Sequence, residues 1–365
     1  MKKITAVFLA AAIIFALCSC AVKNSEERKA LEKIMADSGF GGVISVWDDG
    51  ETLCENAFGP SNTEAAAENR TDSLFCVGSI SKQFTAAAVM LLRERGLLSV
   101  DDRLGKYFPD CPYGDRVTLH QMLCMRSGIA EFYDVTVDRY NIIETPAGTL
   151  KKTVTNSGGV SENREKLQKW LFEQPLRYEP GSCYAYTNSN YFLLARIVEL
   201  VSGKAYEDFI CENIFQPLEM KSSGFIDRMY GDPRISKGSH EVKTVYVGIT
   251  MGLGDIITCS ADMGRWLNAL CDGEMISDES FKMMTENYSG KEENPYGYGL
   301  QPDGKGGCSH TGVFASFYAF TYINPGESCC LFAVTNEQGR LTEDISAISA
   351  RVLKNVMPSI FATHY

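Results

Sequence analysis

The sequence predicts an α+β fold: one antiparallel sheet assembled from N- and C-terminal segments, flanked by helices, with a mainly helical region inserted between the two halves. Three observations carry this. Residues 43–47 and 52–58, rich in β-branched and aromatic side chains, flank Asp49-Gly50, a pair that accepts the left-handed backbone of a two-residue hairpin turn. Residues 314–323 and 329–335 flank Asn324-Pro325-Gly326-Glu327 in the same way. Between these ends the apolar residues recur at helical spacing, with no internal repeat and no flexible linker, so both ends belong to one body.

The elements follow in order. Residues 25–38 form a helix: Ser25 can cap it, Glu26 and Glu27 sit at the positive end of its dipole, Leu31, Ile34 and Met35 share a face, and Gly39 closes it. After the first hairpin, residues 79–95 form a long Ala- and Leu-rich helix, with Gly78 allowing a tight turn in front and Gly96 ending it. A short helix over 118–125 stops at Ser127-Gly128. Residues 134–160 are polar, carry Gly158-Gly159 and exceed a simple connection, so they read as an inserted loop of lid length. Helices follow at 161–173, 189–202 and 205–214, then an irregular stretch over 233–247 and a helix over 261–270 capped by Ser260. After the second hairpin a helix over 342–357 closes the chain. The expected division is a leader over 1–19, a tether and N-terminal helix over 20–38, and one domain over 39–357. Its sheet part covers about 39–100 and 240–357, and its helical part about 101–239.

Composition excludes several function classes. With 45% hydrophobic and 22% charged residues, the 365-residue chain can bury a large core and is neither disordered nor low in complexity. Its formal charge of -11, with no basic cluster, argues against nucleic acid, whose phosphates need a basic face. Thirteen cysteines suggest a disulfide framework at first. Setting aside Cys18 and Cys20 leaves an odd number among apolar neighbours, with no C-x-x-C and no Cys/His array. Most should be small buried hydrophobes, and no metal or cofactor is expected.

The N-terminus reads as a targeting segment. Lys2 and Lys3 precede an apolar run over 4–17 broken only by Thr5, too short for the ~20 residues of a spanning helix. Leu17-Cys18-Ser19-Cys20 resembles a bacterial lipobox, which implies lipidation of Cys20 as the mature N-terminus. An ordinary secretory cleavage nearby is the alternative. The expectation is an exported lipoprotein on the outer side of the cell membrane, held by acyl chains rather than by a basic patch.

Ser79-Ile80-Ser81-Lys82 opens the long helix. A serine there sits near free backbone N–H groups, and a lysine three residues on lies on the same face one turn up. A desolvated amine could take the hydroxyl proton and make Ser79 a nucleophile. Alone, the pair reads more readily as a capping serine and a solvated lysine. The context decides: residues 75–85 strongly resemble the nucleophile segment of the serine β-lactamase and penicillin-binding protein superfamily. Tyr186-Thr187-Asn188, behind Glu179-Pro180-Gly181-Ser182, resembles the Tyr-x-Asn element of the class C β-lactamase branch. His310-Thr311-Gly312 occupies the place of Lys-Thr-Gly, as in esterase and peptidase relatives. Leu98-Ser99-Val100-Asp101-Asp102, Ser127-Gly128-Ile129, Pro217-Leu218-Glu219-Met220 and Tyr298-Gly299-Leu300 extend the likeness over roughly 40–355.

The resemblance implies a β-lactamase/transpeptidase-like fold and a set of roles. Ser79 would be acylated, Lys82 would shuttle its proton, and Tyr186 would act with Lys82 as base and then as acid. A phenol holds its proton to pH ~10, so a Lys82 cation would have to help it ionise. Asn188 would hydrogen-bond a substrate amide and place Lys82, and it can also cap the following helix. Thr311, Gly312 and Val313 would line the substrate site, with the N–H groups of Ser79 and Val313 as the oxyanion hole. His310, with an ordinary pKa of ~6.5, offers a substrate carboxylate less charge than lysine, and should offer more toward pH 6. Met125 stands where relatives carry a histidine and reads as a packing change; His120, His240 and His364 read as surface or structural. The expected activity is hydrolysis of an ester, amide or D-amino-acid peptide bond in a small-molecule or peptide substrate, peptidoglycan-derived peptides included. The alternatives are a penicillin-binding or sensor-like protein that acylates without efficient turnover, and a true β-lactamase.

Overall fold

In the computed structural model, residues 25–62, 67–132, 137–138, 142–145, 148–149, 160–229, 231–238, 248–290 and 294–358 are described below. Six strands, β1 (Gly42–Asp48), β2 (Glu51–Phe58), β3 (Gln301–Pro302), β4 (Cys308–Phe314), β5 (Phe317–Asn324) and β6 (Cys329–Thr335), make the main sheet in the order β3-β4-β5-β6-β1-β2. Every pairing is antiparallel, and the C-terminal β6 lies against the N-terminal β1, with Gly42 opposite Thr335 and Asp48 opposite Cys329. The chain ends are thus joined through the centre of the sheet, as the two hairpin signals imply. Asp49 and Gly50 take φ of +49° and +75°, the left-handed pair that a two-residue turn requires.

The sheet is buried on both faces. Along β6, Cys329, Leu331 and Ala333 point toward helices α1 (Ser25–Ser38) and α10 (Ile345–Val356), where Leu31, Met35, Ile348 and Val352 pack on them. Cys330, Phe332 and Val334 point to the opposite core, shared with α2 (Ser81–Glu94) and α8 (Ser260–Cys271). This explains why 329–334 reads as a continuous apolar run rather than an alternating one. Between the sheet halves lie α3 (Leu119–Leu123), α4 (Val160–Glu173), α5 (Asn188–Ser202), α6 (Tyr206–Ile210) with a π-helical turn over Cys211–Phe215, and α7 (Ile226–Met229), while α9 (Asp278–Thr285) follows α8. Arg164 of α4 clips this region together, donating to Glu199 of α5 at 3.0 Å and to Glu207 of α6, with all three side chains largely buried.

Several boundaries differ from the sequence expectation. Residues 314–323 are not one strand: the chain turns at Ala315, whose φ is +52°, so β4 ends at Phe314 and β5 begins at its pairing partner Phe317. An apolar run without Gly or Pro concealed that turn. Ser260 lies inside α8, with Cys259 as the cap residue, and its hydroxyl instead meets that of Ser45 on β1 at 2.6 Å. The closing helix starts at Ile345 because Asp344 caps it through the Ser346 N–H at 2.8 Å. Most of the expected loop 134–160 falls outside the described residues, apart from short strands at Val137–Asp138, Ile142–Thr145 and Gly148–Thr149. The leader over 1–19, Cys20, His240 and His364 also lie outside them. Among the described residues no helix is long and apolar enough to cross a membrane. All eleven described cysteines are free thiols, most of them buried.

Candidate active site

Ser79 sits in a single 3-10 turn, Gly78–Ile80, that leads into α2. Gly78 has φ +53°, and a Cβ built on it would lie 2.7 Å from the Val313 carbonyl oxygen, so this position needs glycine for both conformation and space. Lys82, one turn on, is fully buried. Its Nζ lies 3.0 Å from Ser79 Oγ, 2.8 Å from Asn188 Oδ1 and 2.9 Å from the Leu253 carbonyl oxygen. The same nitrogen is 5.0 Å from the Tyr186 ring centre and 5.8 Å from that of Tyr191. Burial lowers the Lys82 pKa to about 7, against an opposing pull from Glu131 and Asp255.

Tyr186 leaves 37% of its surface exposed, and its ring packs edge-on against Tyr296. Burial raises the Tyr186 phenol well above its ordinary range, and a hydrogen bond with Ser79 offsets only part of the rise. The expectation that a Lys82 cation would help Tyr186 ionise is therefore reversed. Excluding water from both groups makes the amine the one that loses its proton near neutral pH, and the phenol the one that keeps it.

Asn188 is the first residue of α5; the cap position belongs to Thr187. Asn188 instead donates its backbone N–H to the Glu131 carboxylate and accepts from Lys82 through its side chain. On β4, strand alternation leaves Thr311 half-buried and Val313 51% exposed on one face, and turns His310 inward. A Cβ on Gly312 would lie 1.9 Å from the Val77 carbonyl oxygen and 3.0 Å from the Ser79 nitrogen, so β4 and the serine turn touch through their backbones.

His310 departs from expectation in its electrostatics. Its Nδ1 lies 2.5 Å from the Thr311 carbonyl oxygen, which can only accept, so Nδ1 carries the proton. Nε2 is then the acceptor for the Tyr296 hydroxyl at 3.1 Å. Burial first, and then the Lys82 charge, lower its pKa to about 3. Lowering the pH toward 6 therefore does not give it the cationic character that an exposed histidine would gain. His120 is structural, as expected: its Nδ1 meets the Tyr298 hydroxyl at 2.6 Å and its ring packs edge-on against Tyr288. Met125 is fully buried beneath this region, its sulfur accepting from the Thr187 N–H at 3.4 Å.

The described site residues thus converge on one site, and three further side chains join them that sequence reasoning missed. Glu131 follows the Ser127-Gly128-Ile129 likeness by two residues. Tyr296 precedes Tyr298-Gly299-Leu300 by two and touches both Tyr186 and His310. Asp255, which burial pushes well up toward its neutral form, accepts from the Gly252 N–H at 3.3 Å and had no local signal.

Known proteins resemble this chain over most of its length. The chain is 27% identical over 303 residues to the putative penicillin-binding protein PbpX of Bacillus subtilis, covering 81% of this chain and 70% of that protein. It is 22% identical over 316 residues to a teichoic acid D-alanine hydrolase of Staphylococcus aureus, covering 83% and 74%. Among solved structures, the octameric penicillin-binding protein homologue from Pyrococcus abyssi superposes with a TM-score of 0.74 at 24% identity, covering 92% of this chain and 77% of that one. The D-amino acid amidase from Ochrobactrum anthropi SV3 superposes with a TM-score of 0.75 at 20% identity, covering 92% and 99%. The family model described as Beta-lactamase matches residues 28–355. A match of that extent, on a fold that brings a buried lysine to a serine at the head of a helix, means that this chain belongs to the Beta-lactamase family.

Proposed function

We propose that the protein is a serine hydrolase that works through an acyl-enzyme at Ser79, with Lys82 as the base and Tyr186 as the acid for the leaving group. One observation carries the assignment of the base. Lys82 Nζ has three neighbours within hydrogen-bond distance, and two of them, Asn188 Oδ1 and the Leu253 carbonyl, can only accept. In the neutral amine those two acceptors use both N–H bonds, and the lone pair is left facing the Ser79 hydroxyl. With a pKa of about 7, the amine is substantially in that form at neutral pH.

The step then follows. Ser79 Oγ attacks the carbonyl carbon as its proton passes to Lys82. The developing oxyanion is received by the N–H groups of Ser79 and Val313, whose segments the close approach of Gly78 and Gly312 brings together. Tyr186, held protonated by burial, gives its proton to the departing oxygen or nitrogen. Lys82 returns a proton to the phenolate, and the same pair activates the water that releases the acyl group.

The substrates we assign are esters, amides and D-amino-acid peptide bonds, cell-wall peptides included, rather than β-lactams. A neutral, buried His310 offers no fixed cation to a β-lactam carboxylate. Relatives named for D-alanine hydrolysis and D-amino acid amides support the same direction. We further propose export and lipid anchoring through Cys20, on the strength of Leu17-Cys18-Ser19-Cys20. The test is fluorophosphonate labelling followed by turnover of p-nitrophenyl esters, D-amino-acid amides and nitrocefin. We expect labelling confined to Ser79, with ester or amide turnover exceeding nitrocefin turnover. Labelling that survives Ser79→Ala would refute the nucleophile. Acylation without release would favour the sensor-like alternative.

A further inference from the structure

Glu131 is largely buried beside the catalytic lysine, outside every motif recognised in the sequence. Its Oε2 accepts the backbone N–H of Asn188, at the first position of the 15-residue helix α5. The same asparagine receives Lys82 Nζ on Oδ1 at 2.8 Å. One carboxylate therefore fixes the backbone of the residue that aims the amine at Ser79. We propose that Glu131 is a positioning residue of this site: it seats Asn188 through the main chain, and its carboxylate charge acts on the Lys82 amine that Asn188 holds. The proposal rests on the reading of Lys82 as base.

The groups facing Lys82 bear this out. From α5 and the segment before it come Asn188 and the rings of Tyr186 and Tyr191; from the segment after Ser127-Gly128 comes Glu131. Leu253 and Asp255 come from the stretch before α8, and Ser79 and His310 complete the enclosure. His310 is held neutral, which leaves the carboxylates of Glu131 and Asp255 as the charges acting on the amine. Of the charges acting on the amine, Glu131 exerts the strongest pull, raising Lys82 against the effect of burial. It also raises Tyr186. An anion here stops burial from lowering the amine further, which preserves its strength as a base.

The experiment is the pH dependence, from pH 5 to 9, of the second-order rate of fluorophosphonate labelling at Ser79, which needs no known substrate. The wild type should show an acid limb near pH 7. Glu131→Gln keeps an acceptor for the Asn188 N–H but removes the charge. Its limb should move down by about one pH unit, so the variant labels faster than wild type at pH 5.5 relative to its own plateau. Glu131→Asp keeps the charge but draws the carboxylate back from Asn188. Its plateau should fall about tenfold with the limb within a few tenths of a unit of wild type. A purely structural capping role would lower stability and leave the limb in place. A wild-type limb near 7 that Glu131→Gln does not move overturns this proposal alone, as does a Glu131→Asp variant with wild-type plateau and limb. A wild type with no limb between pH 6 and 8 overturns the Lys82 reading and the proposal with it.

Discussion

Gly312→Ala probes the proposed oxyanion hole without touching any reacting group. A Cβ at this position would lie 1.9 Å from the Val77 carbonyl oxygen, where ordinary contact begins near 3.4 Å. The methyl group must therefore push β4 and the serine turn apart by about 1.5 Å, and both contacts are backbone, so no side chain can rotate away. The Ser79 and Val313 N–H groups lie on opposite sides of this seam and would separate. Losing one oxyanion donor costs about 3–4 kcal/mol, or 10²- to 10³-fold in kcat, and a 1 Å misplacement alone can cost about 10²-fold. We expect kcat on a p-nitrophenyl ester to fall by about two to three orders of magnitude. Overpacking should cost about 1–3 kcal/mol of stability, which a urea titration would show the fold survives. Gly254→Ala is the control: its nearest neighbour would be 3.7 Å away, also on the Gly78 turn, and activity should stay within about threefold. A folded Gly312→Ala enzyme with kcat within tenfold of wild type would refute the assignment of the oxyanion hole.

Other perturbations test other parts of the argument. Because the proposed mechanism uses neutral Lys82, whose pKa is about 7, kcat/KM for an ester should drop about tenfold from its plateau at pH 6 and about a hundredfold at pH 5; a flat profile over that range contradicts the base. Single Ala substitutions of Ser79 and Lys82 should each cost about as much as the double, whereas multiplicative losses would make Lys82 merely structural. Because His310 stays neutral, the ester-to-nitrocefin ratio should not change between pH 8 and 6, and His310→Lys should shift it toward nitrocefin by roughly tenfold to a hundredfold; an unchanged ratio in the variant would show that this residue does not set the preference. Arg164→Ala removes the buried partner that Glu199 and Glu207 share, leaving them Arg196 and the more distant Arg228, and should destabilise the protein by about 1.5–3 kcal/mol in urea titration, with no measurable loss counting against the ion pairs. Radiolabelled fatty acid should enter the wild type and not Cys20→Ala, and equal labelling would remove the anchor.

Much of this was legible where the determining interaction is local. Asp49-Gly50 declares its turn because few other pairs tolerate two successive positive φ values. Thr118 and Gln121 declare the start of α3 by bonding each other's backbone N–H groups. Ser79 and Lys82 share a face because helical geometry puts residues three apart within reach. The turn at Ala315 was hidden because its reason is the pairing of β4 with β5, not a property of alanine or serine. Glu131 was hidden because its partner lies 57 residues on and is a backbone N–H, which every residue but proline carries.

The sequence by itself determined the chemical inventory: a serine with a lysine one turn away, a phenol, an amide, and a histidine in the place of the Lys-Thr-Gly lysine. Only the tertiary structure decided how those groups are charged. Lys82 is drawn down to about 7 and His310 to about 3 chiefly because packed segments exclude water from them. Those segments are distant in sequence: Asn188 is 106 residues from Lys82 and Leu253 is 171. The cost of a charge depends on everything that replaces its solvent, in all directions at once. Neighbours along the chain supply only a small part of that shell, so the order in which amine, phenol and imidazole hold their protons is a property of the fold.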